Sequence, residues 1–337
     1  QDAILARIKI MARLDVAEKR RPQDGRIGLT LAGRALDLRV SSLPTTHGER
    51  LVLRLLEGSS TPKTLEDLGM AGHDLAQMHT LLNQPHGIIL VTGPTGSGKT
   101  TTLYAGLTHL NTTDRNIMTI EDPVEMEIPG IGQTQVNTKI DLTFANALRT
   151  MLRQDPDIIM CGEIRDEETA QIAVQASLTG HLVLSTLHTN DAPSALTRLV
   201  EMKIEPFLLS STITGILAQR LVRTLCVSCA EPTTITDAEQ ARLSTVVSTQ
   251  DRYMRAVGCS TCLQTGYRGR TGIYELLTMN DAIRAQLMER ADASALRLLG
   301  MQHGMSTLRA SGLALAAAGR TTIEEVIRVT QDTIHEL

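Results

Sequence analysis

The run Gly93-Pro94-Thr95-Gly96-Ser97-Gly98-Lys99-Thr100 follows an apolar stretch, Gly87–Thr92, and is followed by Thr101. Gly93, Gly98, Lys99 and Thr100 have the spacing of a phosphate-gripping loop. Glycines let backbone N–H groups converge on a β-phosphate. Lys99 brings a point charge to the β- and γ-oxygens, and the Thr100 hydroxyl is a ligand for Mg²⁺. A helix opening here adds the positive end of its dipole. Gly93 to Thr101 are therefore the expected nucleotide contacts, with Thr100 as the magnesium ligand.

Such a loop needs carboxylates beyond the carboxyl ends of neighbouring strands, where ligands sit in open parallel sheets. The stretch DPDIIMCGEIRDEET supplies a short apolar strand that ends at Gly162-Glu163. Asp157 lies at its other end, about 20 Å away at ~3.3 Å per residue, too far to act on phosphates. Gly162 stands where an acidic residue usually sits, so Glu163 is the expected acid. In NIMTIEDPVE, Glu121, Asp122 and Glu125 all follow a second strand. Any of them could orient an attacking water, and spacing does not choose between them. A third strand, HLVLSTLHT, carries His188 at its carboxyl end, placed to sense a γ-phosphate. His181, at the other end, reads as structural.

Cys226-x-x-Cys229 and Cys259-x-x-Cys262 enclose a long insertion. Two such knuckles make a tetrahedral Cys₄ zinc site, closed and therefore structural. Cys161, alone in an apolar strand, reads as core.

The elements around these residues change character along the chain. Ile4, Ile8 and Met11 recur at helical spacing within residues 3–19. From Ile27 to Leu55 apolar residues alternate, as in a small antiparallel sheet with a tight turn at Ala32-Gly33 and a longer one at SSLPTTHG. Glu57–Thr64, EGSSTPKT, reads as a linker. Beyond it strands at 88–92, 116–120, 157–161 and 182–186 alternate with helices at 73–83, 99–110, 143–153, 166–178, 192–201 and 207–221. That alternation marks an α/β fold with a parallel sheet. A helical tail runs from Asp281 to Val329.

Composition narrows the function. Of 337 residues 42% are apolar, enough for a real core, but only 2% are aromatic, with no Trp. That disfavours stacking on single-stranded bases. The net charge of −4 and the lack of a long Lys/Arg run disfavour a nucleic-acid motor. No segment approaches the ~18 apolar residues of a membrane span, and no signal peptide is visible. The expectation is a cytoplasmic location, with membrane association only through partners. Gln1 reads as mid-helix, so upstream domains are expected.

Four blocks, GPTGSGKTTTLY, TIEDPVE, LRTMLRQDPDIIMCGEIRDEETA and TGHLVLSTLHTNDA, follow one another in order. They resemble the Walker A, Asp box, Walker B and His box of the secretion ATPase superfamily. ARLDVAEKRRPQDGRI and LPTTHGERLVLRLLE resemble that family's preceding domain. The likeness covers about residues 1–330 and is strongest to type II secretion assembly ATPases of the general secretory pathway E type. Type IV pilus extension ATPases come second.

The resemblance implies a RecA-like P-loop NTPase domain with a parallel central sheet (67–225). It implies that 1–58 are part of a small α+β, PAS-like domain before it, with a linker between them (59–66). A tetracysteine zinc-binding subdomain (226–262) and a C-terminal ATPase-associated and helical region (263–337) follow. Glu125 is implied as the water-orienting carboxylate and Glu163 as the Walker B acid. Arg39 and Arg54 are implied to reach a nucleotide phosphate, with Arg149, Arg153 and Arg165 near the site or its interfaces. Cofactors are then ATP, Mg²⁺ and Zn²⁺. Partners are five more copies in a homo-hexamer and the L-type and F-type components of an inner-membrane secretion platform, with no nucleic acid. The expected location is the cytoplasmic side of the inner membrane.

Overall fold

The computed structural model describes residues 2–31, 34–56, 63–243 and 253–331. Contacts divide it into two units, residues 1–62 with 125–127, and residues 63–124 with 128–337. The expected turn at Ala32-Gly33 and most of the expected linker, 57–62, lie outside the described residues.

The first unit has helix α1 (Asp2–Met11) and strands β1 (Gln23–Leu31), β2 (Arg34–Thr45) and β3 (Gly48–Leu56) in an antiparallel sheet ordered β1-β2-β3. One sheet face carries Ile27, Leu29, Leu38, Val40 and Leu51, packed with Ile8 and Ala12. Two sequence expectations change here. The helix expected over 3–19 stops at Met11, because Arg13 turns left-handed (φ 58°) and Leu14 N–H returns to Lys9 O at 2.8 Å. The turn expected over SSLPTTHG shrinks to Thr46-His47, because β2 runs on through Pro44, opposite Glu49.

The second unit begins with α2 (Gly72–Leu82), β4 (Gly87–Thr92), α3 (Lys99–Leu110), β5 (Ile117–Glu121) and β6 (Gly132–Gln135). Then come α4 (Phe144–Met151), β7 (Ile158–Cys161), α5 (Glu167–Leu178), β8 (Leu182–Leu187), α6 (Ala192–Glu201) and α7 (Pro206–Thr212). The chain continues through β9 (Ile213–Leu225), β10 (Glu231–Thr233), α8 (Asp237–Arg242), β11 (Tyr253–Arg255) and β12 (Tyr267–Thr278). It closes with α9 (Asp281–Met288), α10 (Ala293–Gln302), α11 (Leu308–Ala317) and α12 (Ile323–Val329).

Seven strands form the central sheet in the order β12-β9-β4-β8-β7-β5-β6. All neighbours run parallel except β12, which is antiparallel to β9. Every residue of β4, β7 and β8 is buried, the pattern of strands covered on both faces. Each large apolar side chain so buried contributes about 2 kcal/mol. β10 and β11 pair inside the cysteine-bounded insertion.

The helix expected over 207–221 is half wrong. α7 ends at Thr212 and the next thirteen residues are β9. Ile213, Ile216, Leu217, Leu221 and Val222 mimic helical spacing because β9 is buried on both faces between β4 and β12. A doubly covered strand shows no alternation.

Candidate functional site

The glycine-rich loop joins β4 to α3. A Cβ on Gly93 (φ 147°) would lie 2.5 Å from Gln219 O, and one on Gly98 (φ 90°) 3.1 Å from Gln219 Nε2. Glycine is required at both places. Gly98 caps α3 and offers no side-chain acceptor. In α4, α5 and α6 the caps Thr143, Asp166 and Asp191 do accept a first-turn N–H. The α3 N–H groups thus remain available to a bound anion. Ser97 Oγ, also in the loop, is buried without a hydrogen-bond partner among the described residues. This donor-rich concavity fits a phosphate chain.

Lys99 is buried at the first position of α3, and its Nζ donates to Gly93 O at 2.8 Å and Pro94 O at 3.3 Å. Burial holds its pKa below the usual lysine range, against the pull of Glu163. Pro94, Thr95 and Gly96 form an exposed rim, and Thr100 and Thr101 are exposed on the first turn of α3.

Strand order brings the other groups to the loop. β8 lies between β4 and β7. His188, just beyond β8, therefore stands between the loop and Glu163, two residues beyond β7. Glu163 is mostly buried, ion-pairs with Arg165, and sets Oε2 3.6 Å from His188 Nε2. Burial and the Lys99 charge push His188 below an ordinary imidazole, with Glu163 opposing. Arg165 also approaches Asp122 at 3.9 Å.

The three acids after β5 separate. Glu121 is buried and accepts hydrogen bonds from the Tyr104 hydroxyl, from Thr119 Oγ1 at 2.6 Å and from Gln133 Nε2 at 3.0 Å. It is consumed in the fold. Asp122 and Glu125 are exposed, and Glu125 groups with the first unit. Asp157 accepts from Asn116 N–H at the amino end of β7. His181 Nδ1–H donates to Ala176 O at 2.8 Å, and Cys161 is wholly buried, its thiol pushed up to about 12 by burial.

The segment after His188 is held from four sides. Thr92 Oγ1 lies 2.8 Å from Thr189 Oγ1. Arg220 donates to Asn190 at 3.3 Å, Arg297 to Asp191 at 2.6 Å, and Ala192 N–H to Glu275 at 2.8 Å. On α4, Arg149 pairs with Glu168 of α5 at 2.6 Å, and Arg153 donates to Arg149 O.

In the first unit the register sets Arg39 opposite both Arg26 and Arg54. Three arginines thus form a row on the sheet face away from Ile27 and Val40. Arg39 and Arg54, directly opposite one another, carry like charges that repel. Neither Arg26 nor Gln219 was legible as a site residue. Pairing register and the strand character of β9 are both needed to see them.

The four cysteine sulfurs lie within 4.8 Å of one another. Cys226–Cys259, Cys229–Cys262 and Cys259–Cys262 are 3.9, 3.8 and 3.7 Å apart. Sulfurs ~2.3 Å from a tetrahedral zinc are about 3.8 Å apart, so the tetrad fits that ion. Burial raises the Cys262 thiol, but N–H groups of Cys259 and Gly266 donate to it, and the net effect brings it down to about 6.

A glycine-rich loop leading from a central strand into a helix, with a carboxylate and a histidine at adjacent strand ends, defines a P-loop nucleotide-binding α/β protein. The chain belongs to the type II/IV secretion system protein family, whose model matches residues 1–328. It is 58% identical over 330 residues to type II secretion system protein E of Dickeya dadantii, covering 98% of this chain and 66% of that relative. It is 55% identical over 334 residues to type II secretion system ATPase E of Vibrio cholerae, covering 98% and 65%. The chain therefore spans about two thirds of the length of these curated relatives. The crystal structure of the pilus retraction motor PilT with bound ADP superposes with a TM-score of 0.67 at 28% identity, covering 92% of this chain and 78% of that one.

Proposed function

We propose that this chain is the ATP-hydrolysing motor of a type II secretion system. The observation that carries the reading is the strand order, which gathers Lys99, His188 and Glu163 at one end of the sheet. Gly93 to Thr101 bind the phosphates, through their backbone N–H groups except at Pro94, and Lys99 meets the charge that develops on the transferring phosphoryl group. The Thr100 hydroxyl, with Glu163 orienting it, would hold a magnesium ion, which would supply positive charge to the phosphates. Glu125 orients the attacking water, and His188 reports the γ-phosphate to the segment Thr189–Ala192. Arg39 and Arg54 complete the site with positive charge. Zinc on Cys226, Cys229, Cys259 and Cys262 is structural.

The motor works as a hexamer on the cytoplasmic side of the inner membrane, bound to platform proteins of the L and F types. Relatives named for type II secretion are 55–58% identical, whereas the pilus retraction motor is 28% identical. The names of those relatives support the secretion reading. Phosphate release from MgATP by the chain and by Lys99→Ala tests the reading. Turnover lost in the variant supports it, and equal turnover overturns it.

A further inference from the structure

We propose that Gln219 is a positioning residue for nucleotide binding, acting through the backbone of the glycine-rich loop; this rests on the nucleotide-binding reading above. Gln219 lies on β9, the strand beside β4, and is 2% exposed. Its Nε2 donates to Ser97 O at 2.7 Å. Its own carbonyl oxygen forms the floor under Gly93, within 2.5 Å of where a Cβ would stand.

A trans peptide is planar, so its C=O and N–H point in opposite directions. Holding the Ser97 carbonyl on β9 turns the Gly98 N–H the other way, into the concave side of the loop where phosphate binds. Gln219 thus aims a donor that the ligand uses without touching the ligand itself.

The residue's surroundings make a purely structural role a poor fit. Its neighbours Leu217, Ala218, Leu221 and Val222 are apolar or small, and Gln219 Oε1 is buried with no partner among the described residues. A buried amide with an unpaired oxygen costs stability that an apolar side chain would not. Among the described residues, the one hydrogen bond its side chain makes is to the loop. Arg220, next on the strand, faces a different partner set, Asn190 Oδ1 and Val329 O.

The test uses the chain as it stands, with MgADP binding and MgATP turnover measured for wild type, Lys99→Ala, Gln219→Leu and Gln219→Glu. Gln219→Leu removes the donor at similar volume and should weaken MgADP about tenfold, with zinc content unchanged. Gln219→Glu sets a carboxylate against the Ser97 carbonyl at pH 8, acceptor against acceptor. Burial raises a carboxyl's pKa, so near pH 6 the protonated group donates again. MgADP affinity of this variant should then recover at least threefold relative to wild type at the same pH. A role confined to packing gives no such recovery. Wild-type affinity in Gln219→Leu, or a Gln219→Glu profile parallel to wild type from pH 6 to 8, overturns the proposal. Where Gln219→Leu fails to fold, the Gln219→Glu profile decides. Wild-type MgATP turnover in Lys99→Ala is a different result and overturns the nucleotide site itself.

Discussion

Glu163 Oε2 stands 3.6 Å from His188 Nε2, across the carboxyl ends of adjacent strands β7 and β8. The carboxylate raises the imidazole's proton affinity, while burial and Lys99 lower it by more. His188 should therefore titrate below an ordinary histidine, and lower still in Glu163→Gln. Histidine Cε1–H shifts followed against pH by NMR check both. The same variant should lose at least about 10²-fold in kcat, with a smaller loss of MgADP affinity. Equal losses in affinity and kcat would show that Glu163 acts in ground-state binding instead.

The cysteine tetrad predicts one zinc per chain. Metal binding to such knuckles is largely folding free energy, on the order of 10 kcal/mol. Cys229→Ser should lower zinc content and speed amide exchange around Cys226 and Cys259–Gly266. MgADP binding at the central sheet should survive. Purified protein without zinc under non-chelating conditions, measured by elemental analysis, counts against the site.

Local patterns carried most of the site. The glycine loop, the acid after β7, the histidine after β8 and the paired cysteines each declare themselves within a few residues. Their strands form where expected because short apolar runs bounded by polar turns leave little choice. What escaped reading depends on partners distant in sequence. β9 looked helical because neighbours on both faces remove alternation, and Gln219 vanished with it. Arg26 joins Arg39 only through the β1–β2 register. Glu121, equal to Asp122 and Glu125 on paper, is removed by three donors, from α3, β5 and β6.

Glu275 predicts a pH dependence of stability. It is almost wholly buried on β12, where its carboxylate accepts from Ala192 N–H at 2.8 Å and Leu308 N–H at 3.3 Å, tying together the starts of α6 and α11. Burial, with Asp191 adding repulsion, pushes its pKa up to about 7; the two N–H groups and Arg297 oppose this. A folded-state pKa above the unfolded value means that the native state holds a proton the unfolded chain has released. Stability is then full below about pH 4.5 and falls as pH rises toward 7, by on the order of 3 kcal/mol. Denaturant midpoints should decline from pH 5 to 7.5 in wild type and decline less in Glu275→Gln. Identical slopes would refute the assignment.

The last prediction concerns the arginine row. Arg26, Arg39 and Arg54 stand in register on one sheet face, and the first unit holds none of the glycine-loop residues. Arg39 and Arg54 face one another directly across β2 and β3, and the family resemblance implies that both reach a nucleotide phosphate. We propose that Arg39 and Arg54 meet a nucleotide phosphate, of the same or a neighbouring copy in a ring. An arginine brought to developing phosphate charge can contribute ~10³-fold in rate. Specific activity should therefore rise with protein concentration as copies associate. Arg39→Ala and Arg54→Ala should each lower kcat sharply, with smaller effects on MgADP affinity. Turnover per chain measured from nanomolar to tens of micromolar, with size-exclusion chromatography alongside, checks this. A rate that is flat with concentration and indifferent to Arg39 and Arg54 would mean that each copy hydrolyses alone and that neither arginine meets the phosphate.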